Sequence, residues 1–183
     1  MVRKITETNL RSAYAGESQA HMRYTIYANR AKRSGFPNVA RLFTAVAFAE
    51  SVHATNHYRN IKTKWGATTT SAAEFGTITT SEDLQAGING ESFEINEMYP
   101  AYKATANFQG EKAAELTFTW AWEAEKTHLD LYKKAKVSVD EGKDMALGPI
   151  HVCEVCGYTV EGQAPERCPI CNATKDRFKT FDK

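Results

Sequence analysis

The sequence predicts an all-α four-helix bundle, built as two helical hairpins joined by a long crossover and followed by a small metal-bound C-terminal domain. Three observations carry this expectation. From about Thr8 to Lys143 the chain is rich in Ala, Glu, Lys, Leu and Arg with few breaks, the composition of long helices. The breaks divide that stretch into four segments, with the longest polar connection between the second and third. All four cysteines fall between Cys153 and Cys171, so the character of the chain changes near residue 148.

The first helix carries an apolar stripe of Leu10, Ala13, Ala20, Tyr24 and Tyr27, with Glu17 set into it. Ser34-Gly35-Phe36-Pro37 ends it and opens the second helix, since Gly supplies a left-handed exit and Pro a preset first turn. There Val39, Leu42, Val46 and Ala49 lead, at the same step of three or four, to Glu50, His53 and His57 before Ile61. The Thr-rich run from Trp65 to Ser81 is the crossover between helices 2 and 3. The third helix shows Leu84, Ile88, Glu91, Glu94 and Met98; Pro100 predicts a kink, because the pattern resumes at Tyr102, Thr105 and Phe108. Gln109-Gly110 turns the chain into a fourth helix with Phe118, Ala121, Glu125, His128, Tyr132 and Ala135 on one side. Two hairpins with one long crossover make a ferritin-like bundle.

Gly148-Pro149 closes the helical part, giving domains 1–147 and 148–183. The second is too short to bury enough apolar surface by itself, and a metal staple is the natural remedy.

Composition removes several function classes. Lys plus Arg is 23 against 22 for Asp plus Glu, a net charge of +1, which provides no field to gather nucleic acid or an anionic membrane. No apolar stretch approaches the roughly 20 residues that span a bilayer. The polar start, Met1-Val2-Arg3-Lys4, lacks the apolar core of a secretory signal, so a cytoplasmic location is expected.

The chemistry lies in a repeat. Gly16-Glu17-Ser18 is followed by Glu50-x-x-His53, and Gly90-Glu91-Ser92 by Glu125-x-x-His128, at nearly equal separations. One Glu-x-x-His on an exposed helix face would be an ordinary solvated pair. Two, each with an upstream Glu on a core stripe, place Glu17, Glu50, Glu91, Glu94 and Glu125 where core residues belong. Buried carboxylates without compensation protonate or are expelled, so five converging ones call for cations. Mixed carboxylate and imidazole donors suit iron or manganese rather than zinc or calcium, and Glu plus Glu-x-x-His from helix pairs is the di-iron or di-manganese arrangement, in which Glu94 is surplus.

Cys153-x-x-Cys156 and Cys168-x-x-Cys171 form two knuckles whose four thiolates define a tetrahedral site for zinc or iron. Spacing alone leaves the metal open. Zinc would make the segment a staple, and iron would make it an electron carrier.

Taken together, these residues resemble the rubrerythrin family over essentially the whole chain. The matching pieces are Gly16-Glu17-Ser18-Gln19-Ala20 with Arg23-Tyr24, Ala49-Glu50-Ser51-Val52-His53, Gly90-Glu91-Ser92-Phe93-Glu94 leading into Met98-Tyr99-Pro100, Glu125-x-x-His128, and the rubredoxin-like Cys153-x-x-Cys156-Gly157-Tyr158 with Cys168-Pro169-x-Cys171. The resemblance implies a ferritin-like di-iron domain joined to a rubredoxin-like Fe(Cys)4 domain, with zinc a possible substitute. The implied activity is a peroxidase that reduces hydrogen peroxide to water in oxidative-stress protection. It implies a homodimer or larger homo-oligomer in which the rubredoxin centre of one subunit feeds the di-iron centre of another. Electrons would come from NAD(P)H through a separate reductase and a rubredoxin.

Carried over by residue, Glu50 and Glu125 would bridge the irons, Glu17 and Glu91 would be terminal ligands, and His128 would hold one iron. Glu94 and His53 would alternate on the other as it changes oxidation state. Tyr24 and Tyr99 would be donors to ligand carboxylates or core aromatics. His21, His57 and His151 have no counterpart to carry over. The alternatives are a ferroxidase or iron-handling protein, and a non-catalytic zinc-ribbon interaction module on a helical scaffold.

Overall fold

The computed structural model describes residues 2–62 and 75–182. Most of the predicted crossover, residues 63–74, lies outside the described residues. The helices are α1 (Lys4–Arg33), α2 (Pro37–Asn60), α3 (Thr80–Phe93), α4 (Tyr99–Phe108) and α5 (Lys112–Asp140), with a π-helical turn at Glu94–Met98 joining α3 to α4. A three-stranded antiparallel sheet follows, in the order β2 (Thr159–Glu161), β1 (Ile150–Cys153), β3 (Phe178–Phe181). The bundle therefore has four long members, the third being α3, the π turn and α4 in continuous succession. Among the described residues, no helix is long and apolar enough to cross a membrane.

Helix boundaries follow local chemistry. Gly35 exits α1 at φ 86°, and Phe36 N–H returns to Ala31 O at 2.9 Å. Pro37 opens α2, whose free amides are capped by Asp144 from beyond α5: Asn38 N–H donates to Oδ2 at 2.8 Å and Val39 N–H to Oδ1 at 3.2 Å. Thr79 and Glu82 form a reciprocal capping box at the start of α3.

Pro100 does not end the third helix. It cannot donate to the turn before it, and the chain absorbs the loss by widening, with Tyr99 N–H bonding to Glu94 O five residues back. The Trp122 indole donates to Ile95 O at 2.9 Å, supplying a carbonyl of that turn with a donor from α5. The extra residue shifts the core register: the stripe expected to reach Met98 reaches Tyr99, which is fully buried while Met98 is only partly so.

The apolar core of the bundle falls into two clusters: one around Leu10, Ala13, Tyr99 and Phe118, and one around Leu42, Phe43, Val46 and Tyr132 that continues into the sheet through Ile150 and Val152 of β1. Arg41 on α2 donates to Leu147 O at 2.7 Å and Gly148 O at 3.0 Å, fixing the chain where it leaves the bundle. Gly87 allows α3 close to α5, because a Cβ there would fall 2.9 Å from the Tyr132 ring.

Candidate metal centre

The acidic stripe residues meet in the middle of the bundle. Glu17 (α1), Glu50 and His53 (α2), Glu91 (α3), Glu125 and His128 (α5) are all at most 1% exposed. Their donor atoms form two groups, Glu17, Glu50, His53 and Glu125 in one and Glu50, Glu91, Glu125 and His128 in the other, each converging within 4.8 Å. Glu50 and Glu125 belong to both.

The shared carboxylates divide their oxygens between the two imidazoles. Glu125 Oε1 lies 2.9 Å from His53 Nδ1 and Oε2 lies 2.8 Å from His128 Nδ1. Glu50 Oε2 lies 2.9 Å from His53 Nδ1 and Oε1 lies 3.4 Å from His128 Nδ1. Each of these two carboxylates therefore offers one oxygen to either donor group.

Several of these atoms are buried without a hydrogen-bond donor, Glu17 Oε2 and Glu91 Oε2 among them, and both oxygens of Glu125 and Glu50 Oε1 have only the two imidazoles beside them. Among the described residues no lysine or arginine reaches them. Buried anionic oxygens left without partners are costly, so the donor set fits a pair of metal cations.

Where protons must serve instead, the titration is displaced. Burial pushes the Glu17 carboxyl up, reinforced by Glu125 and Glu50. Burial and then Glu50 push Glu91 up to about 8. Burial disfavours charge on His53 and His128, yet the carboxylates around them raise both imidazoles above the usual range. Burial would also raise Glu50, but His128 and His53 outweigh it and hold that carboxyl at about 2.

Glu94 stands apart. Sequence reasoning set it among the ligands, whereas the structure leaves it outside both donor groups, at the head of the π turn and half-buried. Enough protein surrounds it that burial, then Glu17 and Glu125, hold its carboxyl well above the usual range.

Tyrosines brace the carboxylates from outside. Tyr24 Oη donates to Glu91 Oε1 at 2.9 Å, and Tyr99 Oη donates to Glu17 Oε1. Burial and the neighbouring carboxylates keep both as phenols. His57, which sequence reasoning put on the stripe without a role, lies behind Tyr99: its Nε2 is 3.0 Å from Tyr99 Oη and its Nδ1 is 3.2 Å from Thr117 Oγ1. Burial holds His57 down at about 3, so it stays neutral. Since Tyr99 gives its proton to Glu17, His57 donates from Nε2 and accepts from Thr117. His21 accompanies Ala47 O and His151 bridges Gly162 O and Thr180, all away from the centre.

The four cysteines are free thiols whose sulfurs form a third group within 4.8 Å. Cys153 and Cys171 sulfurs are 3.6 Å apart, Cys156 and Cys168 3.5 Å. Each knuckle closes with a left-handed residue after its second cysteine, Gly157 at φ 84° and Asn172 at φ 63°. Hydrogen bonds from the Cys153 and Cys156 thiols hold Cys168 as a thiolate, down at about 2. Four converging sulfurs with backbone amides aimed at them fit a tetrahedral thiolate-bound ion.

The two centres adjoin within one chain. His53 turns Nδ1 to the carboxylates and Nε2 to Cys156 O, 3.1 Å away. Asn56 Nδ2 donates to Val155 O at 2.8 Å, and Gly157 lies so close that a Cβ there would overlap the His53 ring. The resemblance implied delivery between subunits; the fold of a single chain already places the cysteine knuckle against His53.

A family model described as rubrerythrin matches residues 8–136, and one described as the rubrerythrin rubredoxin-like domain matches residues 151–179. Rubrerythrin-2 of Clostridium acetobutylicum is 46% identical, covering 97% of each chain. Nigerythrin of Nitratidesulfovibrio vulgaris is 36% identical over 96% of this chain and 86% of its own. The structure of nigerythrin in its fully reduced, all-ferrous state superposes with a TM-score of 0.85 at 35% identity, over 96% of this chain and 86% of that one. With a ferritin-like bundle, a dinuclear carboxylate–imidazole donor set for two irons and a rubredoxin-like tetrathiolate site for a third, the chain belongs to the rubrerythrin family.

Proposed function

We propose that the protein is a peroxidase that reduces hydrogen peroxide to water, taking H2O2 with two electrons and two protons to two molecules of water. The observation that supports this most is the direct junction of the two centres, in which one imidazole, His53, belongs to the dinuclear donor set and hydrogen-bonds the backbone of a thiolate ligand. In this reading residues 1–147 hold the iron pair and residues 148–183 the electron-supplying iron. Glu17, Glu50, His53 and Glu125 would hold one iron and Glu50, Glu91, Glu125 and His128 the other, with Glu50 and Glu125 common to both.

When bound, the iron pair would supply the two electrons that the reduction of peroxide needs, and the thiolate-bound iron would return them one at a time from an external donor. The surrounding residues manage protons and geometry. Tyr24 and Tyr99 each occupy one oxygen of Glu91 and Glu17, leaving the second oxygens, Glu91 Oε2 and Glu17 Oε2, free to hold a metal. His57 and Thr117 hold Tyr99 in a fixed donor orientation. Glu94, partly accessible and with its carboxyl held above the usual range by burial and by Glu17 and Glu125, is the group that would hold a proton and deliver it to the peroxide. In this reading Glu94 and His53 would alternate as ligands, and the arrangement with His53 inside a donor group and Glu94 outside would be the one in which His53 is the ligand.

The partners in this reading are a second copy of the chain, a rubredoxin-type donor and an NAD(P)H-dependent reductase, in the cytoplasm. The test is anaerobic reduction followed by one equivalent of hydrogen peroxide, with the visible bands of both centres followed over time. Rapid reoxidation by peroxide and slow reoxidation by air is the expected result; the reverse order would identify an oxidase. Glu94→Ala is expected to retain iron near the wild-type amount and to lower the peroxidase rate by about 10²-fold or more, the usual contribution of a proton donor. An unchanged rate would remove Glu94 from proton delivery.

A further inference from the structure

Both Glu-x-x-His imidazoles draw their outer hydrogen-bond partner from the same four residues of the cysteine domain. His53 Nε2 meets Cys156 O, and His128 Nε2 meets Thr159 Oγ1 at 3.0 Å. Thr159 opens β2, is 1% exposed, and donates its own hydroxyl proton to Gly157 O at 3.0 Å. A hydroxyl has one proton to give. With that proton committed to Gly157, Thr159 Oγ1 can only accept from His128, so His128 Nε2 carries a hydrogen, and Nδ1, which faces Glu50, Glu91 and Glu125, is the nitrogen that would bind a metal once its own proton is displaced.

We propose that Thr159 is a positioning residue of the dinuclear centre: by accepting from His128 it fixes the tautomer and basicity of that imidazole, and so makes the cysteine domain part of the site that binds the irons. This rests on the reading above that His128 is a metal ligand. The stretch that carries Thr159 is held by the first knuckle, through Gly157 N–H to Cys153 O at 2.9 Å and Cys153 N–H to Tyr158 O at 2.8 Å. Metal on the thiols therefore stiffens the segment that orients both imidazoles. Outer partners of ligating imidazoles are worth about 10–100-fold in metal affinity. By reciprocity, iron in the bundle strengthens docking of the cysteine domain to the same degree.

The test uses the full-length chain with the thiolate site filled, titrated anaerobically with Fe(II) against a competing chelator. Wild-type protein is expected to bind two further Fe(II). Thr159→Val, which keeps the shape and loses the hydroxyl, should weaken one of the two by about 10–100-fold. It should also shift the potential of the iron pair upward while the charge-transfer band of the thiolate-bound iron stays unchanged. Thr159→Ser should restore the wild-type affinity. Equal affinity and potential in wild type and Thr159→Val would overturn the proposal alone. A wild-type chain that takes up no iron beyond the thiolate site would overturn the dinuclear reading and this proposal with it. Should Thr159→Val fail to fold, nitrogen NMR of the wild-type full chain loaded with zinc decides: a hydrogen-bonded Nε2–H on His128 is required, and an Nδ1–H tautomer overturns the proposal.

Discussion

Stripped of its metals by a chelator, the protein is expected to lose thermal stability as pH rises from about 6.5 to about 8, whereas the loaded protein should show little such loss. The sign follows from which groups hold protons. Burial and Glu50 raise Glu91 to about 8, and burial with Glu125 and Glu50 raises Glu17. The carboxylates raise His53 and His128 against the opposing effect of burial. All four bind protons more tightly folded than unfolded, so their contribution is complete below the unfolded values, about 4.5 for Glu and 6.5 for His, and is lost as pH climbs through the folded ones. Glu50, held at about 2, works in the opposite sense, but it is ionised in both states throughout this window and contributes no slope. His57, held at about 3, and Cys168, held at about 2, oppose the loss, His57 only up to its unfolded value of about 6.5, so the net loss falls above that pH, where His53 and His128 add to the two carboxyls.

A carboxyl moved from its ordinary range to about 8 represents several kcal/mol on its own. For a chain of this size that corresponds to a midpoint lower by on the order of 10 °C at the alkaline end. Two bound cations displace those protons and remove the dependence. Thermal scans by helical circular dichroism at three pH values, with and without chelator, measure it. A stripped protein whose midpoint is flat or rises across the window would show that something other than converging buried carboxylates dominates the interior.

How much of this was legible in the sequence depends on whether a feature is local. The stripes of α1, α2 and α5 were readable residue by residue, because a helix of regular period puts Leu10, Glu17 and Tyr24, or Ala121, Glu125 and His128, on one side whatever surrounds it. The duplication of Glu and Glu-x-x-His then located the six central donors. The third bundle helix was read less well, since Pro100 announces a lost hydrogen bond but not how the chain will absorb it. The π turn exchanges Met98 for Tyr99 in the core and leaves Glu94 outside the donor groups, and its Ile95 carbonyl is satisfied by Trp122 from another helix. Features created by docking were not legible at all. Asp144 capping α2, His57 behind Tyr99 and Thr159 on His128 each join residues far apart in the chain, and none has a pattern of its own. His57 alone left a trace, as a histidine on a core stripe.

Replacing Gly157 by alanine should separate the two centres without emptying either. The residue is held at φ 84°, where a side chain costs about 1–2 kcal/mol, and a Cβ there would run into the His53 ring. Neither the ring nor the knuckle can yield cheaply. His53 is fixed between Glu50 and Glu125 on one side and Cys156 O on the other, and the Gly157 amide closes the knuckle on Cys153 O. The strain, about 2–5 kcal/mol with the overlap included, is relieved most easily by lifting the cysteine domain off α2, which breaks the contacts of His53 with Cys156 and of Asn56 with Val155. The thiolate-bound iron would keep its colour, because the cysteines move as a unit. Transfer from that iron to the bundle site, followed by stopped-flow absorbance after mixing the fully reduced protein with peroxide, should slow by tenfold or more. A loss of about 1.4 kcal/mol in the transition state is enough for that factor. Transfer at the wild-type rate in Gly157→Ala, with both centres filled, would mean that the electron does not cross at His53, and the path would have to be sought between subunits.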